Sequence, residues 1–195
     1  MKNIILMVVM FFSLVALILP ANAAVLTFDG LSGELGSTYT ESGFTLTASE
    51  GSSFYSIVET DVEDGYSYTY SETLMNNYAT ATTLTSADGS VFNLTSIDLA
   101  EAFNIDDLLY ATTIIFDAVY SDGSTYSFER TTDGIEGAET FTFGDELTNL
   151  VSLSFGDDEY IQFDNVTASA VPIPSSILLL VAGTGVLVGI RRKFA

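Results

Sequence analysis

Apolar and polar residues alternate strictly through most of this 195-residue chain, and this alternation limits what the chain can fold into. Clear cases are 43–48, 91–99 and 112–120, in which apolar side chains recur at every second position. A period of two places successive side chains on opposite faces of a strand, whereas a helix needs a period near 3.6. Threonine, tyrosine, phenylalanine and isoleucine fill these runs and suit a half-buried pleated surface. Further runs of this kind cover 25–29, 54–58, 66–70, 81–85, 125–129, 140–143, 151–155 and 161–167.

Turn-forming pairs separate the alternating runs. Asp88-Gly89 and Asp122-Gly123 each stand between two runs, which is a strong signal for a hairpin. Short helical turns are predicted only at 101–110 and 145–150, and 168–170 reads as a short linker. Many short strands without a long helix between them predict an all-β, antiparallel β-sandwich, jelly-roll-like, over residues 24–170.

The charge of this segment excludes several classes of partner. The chain has 26 acids and 5 bases, and all the acids lie between Asp29 and Asp164, where Arg130 is the single base. Nucleic acid is therefore excluded as a partner, because its phosphates need lysine and arginine. The chain also lacks cysteine and histidine, which excludes disulfides, zinc sites and the usual catalytic triads.

The N-terminus has the features of a secretory signal peptide, residues 1–23. Lys2 supplies the charged start, 4–19 the apolar stretch, and Ala21 and Ala23 the small residues of a cleavage site. Signal peptidase is the expected partner, with cleavage after Ala23. The alternative interpretation is a permanent N-terminal anchor.

The C-terminal tail, residues 171–195, combines an apolar run with a basic end. Pro172 and Pro174 start an uncharged segment and leave a helix over about 175–190, about 24 Å long. Arg191, Arg192 and Lys193 follow it and would stay in the cytoplasm, which places the acidic domain outside. This predicts a short transmembrane helix, and a permanent single-span anchor is the alternative.

The order of Val171, Pro172 and Pro174, the apolar run and the basic end resembles the PEP-CTERM sorting signal. Ile173 departs from that pattern, which usually has glutamate there. The resemblance implies an exosortase-type processing enzyme as partner. It also implies an inner-membrane intermediate, followed by release to the envelope surface or extracellular matrix of a Gram-negative bacterium.

The strand sequences 92–100 and 161–166 are similar to those of jelly-roll domains attached to such tails, which resemble carbohydrate-binding modules. Such domains often hold a structural calcium between an early strand and the last one. The matching residues are Asp29 and Asp164, and the alternative is that both are ordinary surface carboxylates. No other cofactor is expected.

Tyr66, Tyr68 and Tyr70 would share one face of a strand. They could contact a glycan, or they could form a cross-strand aromatic ladder or part of the core. No catalytic motif is present, and no carboxylate pair stands out among the acids. The leading interpretation is an exported, non-enzymatic surface or matrix protein. The alternative is a carbohydrate-binding module that associates with exopolysaccharide, with calcium as a stabilising ion.

Overall fold

The computed structural model describes most of the segment between the two termini: residues 23–58, 61, 65–67, 69–78, 80–103, 109–156 and 159–171. Thirteen strands run through these residues, and a 3-10 turn, Asp145–Leu147, precedes the twelfth. The strands are β1 (Ala23–Leu26), β2 (Gly33–Glu34), β3 (Thr38–Glu41), β4 (Phe44–Ala48), β5 (Phe54–Ile57), β6 (Thr73–Asn76), β7 (Thr82–Ser86), β8 (Phe92–Glu101), β9 (Thr113–Tyr120), β10 (Thr125–Thr131), β11 (Glu139–Thr142), β12 (Leu150–Phe155) and β13 (Ile161–Ala170).

The strands form one continuous hydrogen-bonded network that folds over into two layers. In one layer the order is β10-β9-β12-β7-β4-β3, and in the other it is β2-β5-β6-β13-β8-β11, with β1 also beside β13. The pairing of Leu150 with Phe92 links the layers. All of these pairings are antiparallel, so the predicted all-β, antiparallel class is confirmed.

Phenylalanine side chains from both layers meet in the core. Phe155 of β12 packs edge-on against Phe163 of β13 at 5.1 Å, and Phe44 packs against Phe92 at 5.6 Å. Edge-to-face packing is a favoured arrangement of aromatic rings, and each fully buried ring contributes about 1.5–3 kcal/mol. The alternating strands therefore close over a single apolar interior, as a sandwich requires.

The turn at Asp122-Gly123 forms the predicted hairpin between β9 and β10, in which Val119 pairs with Thr125. The carboxylate of Asp122 accepts hydrogen bonds from the backbone N–H and the hydroxyl of Ser124, at 2.9 and 2.6 Å. Gly123 has φ +84, a conformation that a residue with a side chain rarely adopts.

The prediction of a hairpin at Asp88-Gly89 is wrong. The turn is present, but β7 pairs with β4 and β12, while β8 pairs with β11 and β13. The chain therefore passes here from one layer to the other. A local turn signal cannot distinguish a hairpin from such a crossing, because both need the same reversal.

Three other boundaries differ from the sequence prediction. Residues 168–170 belong to β13 and pair with β8, so they are not a linker. The described residues of 66–70 lie outside the strands, and Tyr66 forms an isolated bridge with Phe103. Glu101, predicted to begin a helical turn, ends strand β8.

Most of both predicted targeting segments lies outside the described residues. This applies to Ala21, Pro172, Pro174, the helix at 175–190, and the stop formed by Arg191, Arg192 and Lys193. Ala23 begins β1, and Val171 donates its N–H to the carbonyl of Val91 at 2.8 Å. Within the described part of the chain, no helix is long and apolar enough to cross a membrane.

Candidate functional site

Asp29 and Asp164 lie in different environments. Asp29 is exposed, in a turn whose Gly30 N–H donates to the carboxylate of Glu72. Asp164 lies on β13 and is buried, with 3% of its surface exposed. Burial raises the pKa of Asp164 to about 6, and the negative charges of Asp98 and Asp29 add to this shift. Asp29 is therefore close enough to act on Asp164 electrostatically.

Asp98, which the sequence analysis did not select, is the direct partner of Asp164 across β8 and β13. Hydrogen-bond donors surround this like-charged pair. The Asn165 amide donates to Asp98 Oδ2 at 2.9 Å and to Asp164 Oδ2 at 3.2 Å, and the Ser71 hydroxyl donates to Asp164 Oδ2 at 2.9 Å. The hydroxyl of Thr140 donates to Asp98 Oδ1 at 2.6 Å.

These donors compensate much of the negative charge of the buried Asp164 and the half-buried Asp98, so the fold does not require a cation between them. The carboxylates are nevertheless ligands of the type that calcium prefers. The calcium site at Asp29 and Asp164 stays a prediction.

Of the three predicted tyrosines, the structure describes Tyr66 and Tyr70, which lie in different environments. Tyr66 is half-buried and packs between Tyr55, at 6.0 Å, and Phe103, at 5.1 Å, which fits the aromatic-ladder interpretation. Tyr68 lies outside the described residues. Tyr70 is 73% exposed and has φ +67, so the chain turns away from an extended path at this residue.

Three carboxylates that the sequence analysis did not select meet at another point of the fold. Glu101 ends β8, Asp133 follows β10, and Glu139 begins β11. One carboxylate oxygen from each lies within 4.8 Å of the other two. We refer to Glu101, Asp133 and Glu139 as the acidic triad.

Backbone hydrogen bonds hold the acidic triad in place. Gly134 N–H donates to Glu101 Oε1 at 2.8 Å, and Asp133 N–H donates to Glu139 Oε1 at 2.6 Å. Burial raises the pKa of Glu139, and the charges of Asp133 and Glu101 raise it further, although the Asp133 N–H opposes this. Glu101 Oε2 is buried and has no hydrogen-bond partner among the described residues.

Two exposed tyrosines flank the loop that carries Asp133. A Cβ on Gly137 would lie 4.0 Å from Tyr70 Cε2, so the Tyr70 ring lies against one end of this loop. A Cβ on Gly134 would lie 2.9 Å from the backbone nitrogen of Ala111, which places the other end against the residue after Tyr110. Tyr110 is 65% exposed. We call Tyr70, Tyr110 and the loop between them the Tyr70–Tyr110 surface.

One signal for the acidic triad was present in the sequence. Ile97, Leu99 and Glu101 continue the same alternation along β8, which places a carboxylate on the inward face of the sheet. Asp133 and Glu139 gave no such signal, because acids near a turn are common in a chain with 26 of them. Only the pairing of β11 with β8 brings Glu139 beside the end of β8.

No family model matches this chain, and no curated protein matches it. Among solved structures, a mutant family 29 carbohydrate-binding module is similar over 77% of this chain and 92% of its own, at 16% identity and a TM-score of 0.35. The CBM22-1–GH10 modules of Clostridium thermocellum xylanase 10B, complexed with xylohexaose, are similar over 72% of this chain and 29% of theirs, at 14% identity and a TM-score of 0.34. A CBM4 structure is similar over 76% of this chain and 86% of its own, at 17% identity and a TM-score of 0.27.

Proposed function

We propose that this chain is an exported, non-enzymatic surface or matrix protein whose β domain binds polysaccharide at the Tyr70–Tyr110 surface. The observation that carries the proposal is the pair of exposed tyrosine rings on either side of a loop with carboxylates. Of the two interpretations made from the sequence, this one develops the carbohydrate-binding alternative.

The two tyrosines supply apolar area for a sugar ring. Tyr70 is 73% exposed and Tyr110 is 65% exposed, so both leave much of an aromatic surface in water. A tyrosine ring offers a large, stiff contact with one polar atom, and covering it with the C–H face of a sugar removes apolar area from water.

The backbone of Tyr70 is a second reason to select this residue. Its φ of +67 is a left-handed conformation that costs an L-residue about 1–2 kcal/mol. Strained residues of this kind concentrate at binding sites. The strain therefore supports a binding role for Tyr70.

Charge selects the class of polysaccharide. Asp133 is exposed in the loop between the two tyrosines, and its carboxylate is an acceptor for sugar hydroxyls. The domain carries Arg130 as its one base against 26 acids, so it repels polymers rich in carboxylates. We therefore propose a neutral polysaccharide as the ligand.

We propose that this surface binds a glycan without cleaving it. Glycoside hydrolysis needs two carboxyl groups that both reach the scissile bond. Glu101 is only 3% exposed, so its carboxylate cannot contact a sugar ring at the surface. Glu101 therefore cannot serve as the acid or the nucleophile, and the proposal of binding without catalysis rests on the sequence, in which no catalytic motif is present.

Export and sorting form the other half of the proposal. Signal peptidase would cleave after Ala23, and an exosortase-type enzyme would process the tail, residues 171–195. Deleting 171–195 tests this part, because the shortened chain should change its distribution between membrane, envelope surface and medium. An unchanged distribution would contradict the sorting proposal and leave polysaccharide binding to be judged separately.

Sedimentation with insoluble polysaccharides tests the binding. The full-length chain should co-sediment with at least one neutral polysaccharide, such as a β-glucan or a xylan, and remain in solution with an acidic one such as alginate. Equal retention on neutral and acidic polymers would contradict the proposed ligand class. No retention on any of them, with calcium present, would contradict polysaccharide binding.

A further inference from the structure

We propose that Glu101, Asp133 and Glu139 form a binding site for a calcium ion. The proposal concerns the acidic triad and is separate from the site predicted at Asp29 and Asp164. It is also tested independently of polysaccharide binding, because calcium binding is measured in the absence of any glycan.

Two observations support a bound ion. Oxygens from the three carboxylates lie within 4.8 Å of one another, a spacing that one cation between them would allow. Glu101 is buried, with only 3% of its surface exposed. Its Oε2 has no hydrogen-bond partner in the described part of the chain. A buried carboxylate oxygen without a donor is costly, and buried charges are normally paired or bound to a metal.

Among the described residues, the single base, Arg130, has partners other than the acidic triad. Arg130 is the single base between the two termini. Its guanidinium lies 3.9 Å from the carboxylate of Glu146 and 4.8 Å from the centre of the Phe128 ring. A proton or a cation from solution is a counter-charge that the triad can take up.

The contrast with Asp98 and Asp164 strengthens the assignment. In that pair, the Ser71 hydroxyl and the Asn165 amide donate directly to the carboxylates. In the acidic triad, the donors are the backbone N–H groups of the loop, and they leave Glu101 Oε2 unpaired. The acidic triad thus differs from the Asp98–Asp164 pair in having a buried carboxylate oxygen, Glu101 Oε2, without a hydrogen-bond donor among the described residues.

The chemistry of the ligands favours calcium. The chain has neither histidine nor cysteine, the ligands that zinc and other softer metals prefer. Magnesium requires a nearly ideal octahedron, whereas calcium accepts irregular sets of carboxylates, carbonyls and water. Two strand ends and a loop supply an irregular set of this kind.

Calorimetric titration of the full-length chain, stripped of metal with a chelator, tests the proposal. Calcium chloride is the titrant, and magnesium chloride is titrated in parallel. The test variants are Glu139→Gln and Asp133→Asn, which keep the side-chain size at less buried positions than Glu101. Glu129→Gln is the matched control, because it makes the same change on the exposed face of β10. Terbium emission sensitised by tyrosine gives a second readout, since the chain has no tryptophan.

The expected result is calcium binding that Glu129→Gln leaves unchanged and that each test variant weakens by about tenfold or more. Circular dichroism must show that the test variants are folded, and the melting temperature must rise with calcium in the unmodified chain. Absence of calcium binding by the unmodified chain would overturn the proposal. So would unchanged binding in both test variants, or binding that Asp164→Asn abolishes while both test variants retain it.

Discussion

Gly134→Ala tests the arrangement of the acidic triad most sharply, because the added methyl group affects the backbone conformation, a close contact and a hydrogen bond to the triad. Gly134 has φ +72, and the added Cβ would lie 2.9 Å from the backbone nitrogen of Ala111. The same residue donates its N–H to Glu101 Oε1 at 2.8 Å. A shift of the loop away from Ala111 would therefore also disturb a hydrogen bond to a buried carboxylate.

The magnitude follows from these contacts. A left-handed alanine costs about 1–2 kcal/mol, and leaving a buried acceptor unpaired costs about 1–3 kcal/mol. We expect Gly134→Ala to lower the free energy of unfolding by about 2–5 kcal/mol. Gly123→Ala is the matched control, since Gly123 has φ +84 but nothing within 4 Å of the added Cβ. The control should lose only the conformational term of about 1–2 kcal/mol.

Urea denaturation followed by circular dichroism measures both variants against the unmodified chain. For a domain of this size, each kcal/mol corresponds to about 2–4 °C in melting temperature, which gives an independent check. If Gly134→Ala loses no more stability than Gly123→Ala, the close approach to Ala111 does not hold the loop, and the reasoning fails.

Three further predictions concern separate parts of the molecule. Burial raises the pKa of Asp164 to about 6, so the folded state binds the proton more tightly than the unfolded chain does. The resulting stabilisation is complete below about pH 4 and is lost as the pH rises through about 6. The full pKa shift corresponds to about 3 kcal/mol. After allowing for screening by water, we expect the unmodified chain to lose about 1–2 kcal/mol more unfolding free energy than Asp164→Asn between pH 4 and pH 7. Equal losses for the two proteins in urea denaturation would contradict this. Tyr70→Gly removes the exposed ring and relieves the left-handed strain, so polysaccharide retention should fall while the free energy of unfolding changes by less than about 1 kcal/mol. A loss of more than about 1 kcal/mol would instead show that the ring stabilises the fold. Phe163→Ala removes a ring that packs against Phe28, Phe54 and Phe155. It should lower the free energy of unfolding, measured by chemical denaturation, by about 3–5 kcal/mol. A loss below about 1 kcal/mol would contradict the described core.

The sequence was sufficient to predict the class of fold because alternation is a direct consequence of strand geometry. The runs at 112–120 and 125–129 correspond to β9 and β10, and the turn at Asp122-Gly123 joins them as predicted. The short strands β2, β3 and β6 were missed, because two to four residues are too few to establish a period. The partners of β7 and β8 could not be predicted, since the choice of layer depends on contacts distant in sequence.

The candidate site was predicted only in part. Tyr70 was selected as a tyrosine in line with two others, but its exposure results from a left-handed backbone that the alternation did not predict. Glu101 could have been recognised as an acid on an inward face. Its neighbours Asp133 and Glu139 could not, because strand pairing and the close packing of Gly134 bring them to it.

The binding affinity of tyrosine variants for a neutral polysaccharide tests the central claim most directly. Tyr70→Ala and Tyr110→Ala should each weaken binding by about tenfold, as expected when an aromatic contact is removed from a binding surface. Tyr78→Ala is the matched control, because Tyr78 is also exposed, at 59%, but lies after β6, whereas Tyr70 lies before it. Affinity electrophoresis in gels containing the polysaccharide measures all three variants, and the control should migrate like the unmodified chain. Equal retardation of all four proteins would contradict a polysaccharide site at the Tyr70–Tyr110 surface.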